Sequence, residues 1–131
     1  MTAYLLDTNH SSGLYRGSAS LAAKLRARPA DQFVLCLPSI GELWYMIYRS
    51  SRVAENAALL HAFLDDYEHF PFDHAAAKSF GQSKAHLRRT GRPIPDIDLQ
   101  IASIALANDF TVLTADAHFN EIPNLKHENW L

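Results

Sequence analysis

Four carboxylates in this chain stand where a short apolar run stops or a helical stretch begins. Tyr4-Leu5-Leu6 runs into Asp7, followed by Thr8 and Asn9. Phe33 to Leu37 leads on to Glu42. Phe110 to Leu113 leads through Thr114 to Asp116, and Asp98 stands at the head of a helical stretch. Oxygen donors of this kind suit hard divalent cations such as Mg²⁺ and Mn²⁺. Clustered carboxylates without a cation would repel and raise one another's pKa. With a cation, such a group can polarise a phosphoryl oxygen and supply hydroxide as the nucleophile. A phosphodiester can be cut this way without a catalytic His or Cys. That suits a chain whose one cysteine, Cys36, lies inside an apolar run and whose seven histidines are scattered.

Each acid also has a purely structural reading. Asp7 could cap a helix, although Thr8 or Asn9 could do so in its place. Ser39-Ile40-Gly41-Glu42 has the spacing of a capping box, in which Glu42 reaches back to the Ser39 amide. At this level Glu42 is therefore either a cap or a site residue. Asp96 and Asp98 would both favour a helix dipole in its first turn, which leaves one of them spare for chemistry. Asp116 could be an ordinary turn residue after a strand. Four coincidences at one edge are less economical than one shared site.

Bringing the acids together requires strands that end at one edge. Ala3–Leu6, Phe33–Leu37, Glu68–Phe72 and Phe110–Leu113 read as strands, with a further short edge strand somewhere between Ile122 and Trp130. The run at Phe33 is apolar without alternation, as in a strand buried on both faces. Helices are expected up to Tyr15, over Ser18–Arg28, from Ser39 through Tyr48, over Ala54–Tyr67, from the cap Asp73 to Arg89, and from Asp96 or Asp98 to Asn108. Gly91, Pro93 and Pro95 make the connection before Asp98 a stiff loop. Strands alternating with helices predict a parallel sheet covered on both faces. Ligands of such sheets bind outside the carboxyl ends of the strands, where strand order reverses.

At 131 residues the chain predicts one domain, spanning 1–131. Twelve Lys and Arg against 14 Asp and Glu give a formal charge of -2, so the overall charge marks no nucleic-acid binder and any such role falls to a local patch. The most basic stretch is Lys84, His86, Arg88, Arg89 and Arg92, which leads directly to Asp98. It reads either as a solvated helix face or as a surface that neutralises nucleic-acid phosphates. Trp44 reads first as a core residue, but with Tyr45 and Tyr48 it exceeds what one buried helix face needs, so part of that helix is expected to meet a second subunit or a segment of a partner protein. No apolar run reaches the roughly 18–20 residues that span a bilayer, and no signal peptide is recognisable. A soluble, cytoplasmic protein is expected.

These pieces resemble a known family. Leu5-Leu6-Asp7-Thr8-Asn9, Ser39-Ile40-Gly41-Glu42-Leu43, the run Gly91 to Ala102, Thr111 to Asp116, Phe119 and Leu125 to Trp130 occur in the order found in PIN-domain endoribonucleases. The resemblance is closest to the VapC-type toxins of bacterial toxin–antitoxin pairs, and it covers almost the whole chain. It implies a three-layer α/β/α sandwich with a central, mostly parallel sheet. It implies RNA cleavage by metal-activated water with Mg²⁺, for which Mn²⁺ can substitute, a homodimer and a cognate antitoxin. Asp7, Glu42 and Asp98 match the family's three best-defined acids, which favours the site reading of Glu42. Asp98 is preferred to Asp96 because it precedes Leu99-Gln100-Ile101-Ala102, as the family's acid does. Asp116 matches a fourth position that carries Asp or Asn. Thr114 matches a hydroxyl that orients a carboxylate or water, and Thr8 and Asn9 support the first acid. Two positions depart from the pattern. His10 replaces an aliphatic residue and reads as an exposed surface histidine in preference to a substrate contact. Met46 stands where Gly is frequent. The rival readings are a non-catalytic PIN-like interaction module and a phosphohydrolase with Asp7 as nucleophile. The latter wants a second acid beside Asp7, where the chain has Thr8 and Asn9.

Overall fold

The computed structural model describes all of residues 1–131. The first strand, β1 (Ala3–Leu6), lies at the centre of a five-stranded sheet. On one side it pairs with β2 (Gln32–Cys36), which pairs with β3 (Glu68–Phe70). On the other it pairs with β4 (Thr111–Leu113), which pairs with β5 (His127–Glu128). Every pairing is parallel, and the order is β3-β2-β1-β4-β5.

Six α-helices cover the sheet: α1 (Thr8–Tyr15), α2 (Ala19–Arg26), α3 (Leu37–Tyr48), α4 (Val53–Leu64), α5 (His74–Arg89) and α6 (Asp96–Asn108). Alternate strand residues point to opposite faces, so the three central strands β1, β2 and β4 feed two cores. Leu5, Val34, Cys36 and Val112 enter one core with Leu87 of α5 and Leu99, Ile101 and Ile104 of α6. Tyr4, Leu6, Leu35 and Leu113 enter the other with Leu21 of α2, Leu43 and Ile47 of α3 and Leu60 of α4. The continuous apolar runs therefore mark a sheet buried on both faces in a three-layer α/β/α sandwich.

Several boundaries differ from the sequence expectation. Asp7, not Thr8 or Asn9, is the N-cap of α1. The third helix begins at Leu37 rather than Ser39, with Pro38 in its first turn, where a missing N–H costs nothing. Ser39 therefore lies inside the helix, its hydroxyl 3.4 Å from the Cys36 sulfur, and no capping box forms. Strand β3 stops at Phe70, where Pro71 follows and offers no N–H to the ladder; Phe70 packs edge-on against Phe110, and Phe72 against Phe80. The expected edge strand forms at His127–Glu128, and a 3₁₀ turn over Ala117–Glu121 precedes it. The expected caps Ser18 and Asp73 both hold: Ser18 accepts from Leu21 N–H and Asp73 from Ala76 N–H.

Candidate metal centre

The carboxyl ends of β1 and β4 lie side by side, with the Asp7 N–H donating to the Leu113 carbonyl at 3.0 Å. Strand order reverses between these two strands. A crevice at such a reversal is where a parallel sheet accepts ligands. Here it forms a pocket of about 200 Å³ lined by Asp7, Thr8, Asn9, Glu42, Asp98, Ile101 and Asp116. All four acids singled out from the sequence meet in it.

Each arrives by a different route. Asp7 follows the central strand and caps α1, its Oδ1 accepting the His10 N–H at 3.1 Å. The capping and site readings of Asp7 are thus compatible, because a carboxylate has two oxygens. Glu42 lies on the second turn of α3, where its Oε1 accepts the Thr8 hydroxyl at 3.0 Å. That bond ties the first residue of α1 to α3 and fixes the Glu42 rotamer toward the pocket. Asp98 lies in the first turn of α6, after the loop containing Pro93 and Pro95. Asp96, two residues earlier, pairs with Lys84 at 3.1 Å on the surface and lines a different cavity. Asp116 follows β4. Thr114 Oγ1 accepts the Asp116 backbone N–H at 3.0 Å, so this buried hydroxyl shapes the turn that delivers the acid. Asn9 is exposed at the pocket rim.

The charges are crowded. Burial first, then the negative charge of Asp116, pushes the Asp98 carboxyl up to about 6; Glu42 adds to the rise and His118 opposes it. Asp116 moves the other way. Burial raises it, but donation from the His118 backbone N–H and ring outweighs this and holds the carboxyl below its ordinary value. The His118 backbone N–H reaches Asp116 Oδ1 at 2.9 Å. Its ring Nδ1 stands 2.9 Å from Asp116 Oδ1 and 3.5 Å from Asp98 Oδ2. One ligand atom from each of Asp98, Asp116 and His118 falls within a 4.8 Å cluster. Asp7 and Glu42 line the same pocket but stand outside that tight cluster. Oxygen donors whose burial and mutual repulsion together lift one carboxyl toward neutrality fit a hard divalent cation, which would offset that cost.

The sequence reading missed one histidine and misplaced another. His118 joins the acids, and its one sequence signal is its place two residues after Asp116. His10 is not an exposed surface histidine: it is fully buried, because α1 packs that side of its first turn against β1 and the segment at Trp130. Among the basic residues, Arg88 and Arg89 are exposed on the last turn of α5 with no ion-pair partner, whereas Arg92 pairs with Glu121 at 2.7 Å.

The model of the PIN domain family matches residues 4–125. Ribonuclease VapC2 of Rickettsia felis is 32% identical over 136 residues, covering 97% of each chain. The tRNA(fMet)-specific endonuclease VapC of Shigella flexneri is 29% identical over 134 residues, covering 99% of each. Among solved structures, VapBC2 from Rickettsia felis bound to a DNA fragment from its promoter contains a chain that superposes with a TM-score of 0.92. That chain is 28% identical, and the match covers 99% of the present chain and 100% of that one.

Proposed function

The chain belongs to the PIN-domain family, and we propose that it works as a VapC-type toxin, an endoribonuclease that cuts RNA by water attack at a divalent-cation site built from Asp7, Glu42, Asp98 and Asp116. The observation that carries this reading is the meeting of all four acids in one pocket where strand order reverses. Asp7, Asp98 and Asp116 would hold the ion, which we take to be Mg²⁺, with Mn²⁺ as a substitute. Such an ion supplies charge to the scissile phosphoryl oxygen and lowers the pKa of a water. Glu42 has Oε1 engaged by Thr8, which leaves Oε2 to orient the attacking water or a water of the ion. Thr8 and Thr114 hold Glu42 and the Asp116 turn in place.

Water rather than the ribose 2′-hydroxyl is the nucleophile, so the products are a 5′-phosphate and a 3′-hydroxyl. Arg88 and Arg89, with Arg92 beside them, take the flanking phosphates. Residues 1–131 act as one PIN domain, as a homodimer and with a cognate antitoxin. The exposed Tyr45 and Tyr48 on α3, beside the half-buried Trp44, support a protein contact there. No helix is long and apolar enough to cross a membrane. The test is cleavage of total RNA with Mg²⁺, with wild type beside Asp7→Asn and the ends mapped. Wild type should yield 5′-phosphates, and Asp7→Asn should fall to background. Cleavage by Asp7→Asn at the wild-type rate, or a 2′,3′-cyclic phosphate product, would refute it.

A further inference from the structure

His10 is fully buried, and the four-carboxylate site gives it no part. Two groups hold its ring. The backbone N–H of Trp130 donates to Nε2 at 3.1 Å. A backbone N–H can only donate, so Nε2 presents its lone pair. In the neutral ring the proton therefore sits on Nδ1, which stands 3.3 Å from Asp7 Oδ1. Oδ1 thus faces two donors from one residue, the His10 ring and the His10 backbone N–H at 3.1 Å. Neither donor reaches Oδ2, and no buried side-chain oxygen or nitrogen is left without a partner. Oδ2 is accordingly the oxygen that opens into the pocket that Asp7 lines.

The far end of this chain of contacts is itself fixed. Lys24 Nζ donates to the Trp130 carbonyl at 2.7 Å, and the indole N–H donates to Glu128 Oε1 at 3.0 Å. The indole lies 4.9 Å from the Tyr4 ring and 5.8 Å from Phe33, with the Arg28 guanidinium 4.6 Å away over it. The His10 tautomer is therefore set by a rigid neighbour, not by solvent.

We propose that His10 is a positioning residue of the cation site: held in one tautomer by the Trp130 N–H, it occupies Oδ1 of Asp7 and turns Oδ2 toward the ion. The proposal rests on Asp7 being a ligand. It needs a donor at the Nδ1 position and no change of protonation. Partners that orient a liganding carboxylate in this way are worth on the order of tenfold or more in metal affinity.

Mn²⁺ binding to the full chain, followed by the electron paramagnetic resonance of the free ion, separates this role from packing. His10→Leu fills the space without a donor. His10→Gln places its amide at the Nε2 end. His10→Asn places an N–H at the Nδ1 position and gives up the contact to Trp130. The Leu and Gln variants should bind Mn²⁺ on the order of tenfold more weakly. The Asn variant should bind close to wild type, although its thermal midpoint falls as far as that of the Gln variant. Equal affinity in the Asn and Gln variants, or affinity that simply follows thermal midpoint, overturns the proposal. Should the Leu variant fail to fold, the Asn and Gln pair decides. Asp7→Asn is the control. If it binds Mn²⁺ like wild type, the ligand reading of Asp7 has failed. If it loses binding while His10→Gln keeps it, that reading stands and the role of His10 is refuted.

Discussion

Asp98 carries a cost in the ion-free protein that can be measured. Its carboxyl is pushed up to about 6, first by burial and then by Asp116. A carboxyl whose folded pKa is raised favours folding while protonated, and that contribution is lost as pH climbs from its ordinary value through about 6. Asp98→Asn should therefore raise the thermal midpoint of the chelator-treated protein at pH 8. The gain should shrink as the pH is lowered through 6 toward 4.5. With Mg²⁺ added the sign reverses, because wild type gains stability from the ion and the variant does not. Thermal denaturation across that pH range, with chelator and with Mg²⁺, reads both effects. Asp7 and Asp116 stood out in the sequence because a carboxylate after an apolar run is a local signal, whereas Glu42 was balanced against a helix cap and Asp98 against Asp96 until the family resemblance favoured them. The histidines were not legible. His10 is buried through partners at residues 7 and 130, and His118 meets Asp98 across two elements; neither neighbourhood exists in the order of the chain.

At the scale of elements, the last turn of α5 presents Arg88 and Arg89 to solvent without counter-ions, while Lys84 and Arg92 are paired with Asp96 and Glu121. Two unpaired guanidinium groups on one turn suit backbone phosphates better than the paired cations do. Arg88→Ala with Arg89→Ala should weaken binding of single-stranded RNA to the Asp7→Asn chain. It should also flatten the salt dependence by about 0.7 in log–log slope for each phosphate no longer neutralised. Fluorescence anisotropy from low to moderate salt measures it, and an unchanged slope would show a merely solvated face. The helices were largely legible from apolar spacing and from the caps Ser18 and Asp73. The start of α3 was not, because Pro38 reads equally as the end of a strand and as a first-turn helix residue. That shift matters at Glu42: with Ser39 inside the helix there is no cap for the acid to close, and it faces Thr8 instead.

Across the whole molecule, the central strand joins both cores and carries the first acid, so its packing and the site share one foundation. Leu5 is fully buried in the α5 and α6 core, two residues before Asp7. Leu5→Ala should cost about 2–5 kcal/mol, a large share of the roughly 5–15 kcal/mol that stabilises an ordinary domain. Urea unfolding should show a lower midpoint with an unchanged slope. The alternation of strands and helices made a parallel sheet legible, but strand order was not, since nothing local records that β4 returns to the far side of β1. That return also sets a timetable for synthesis. The strand that emerges first, β1, stays open along one edge until residues 111–113 have been made, and the acids of the site are spread over residues 7, 42, 98 and 116. Pairings this distant in sequence form late in folding. A ribosome-bound fragment that ends before Asp116 cannot bring the four acids into one pocket, so the site closes only after the strand that completes the centre of the sheet has been made.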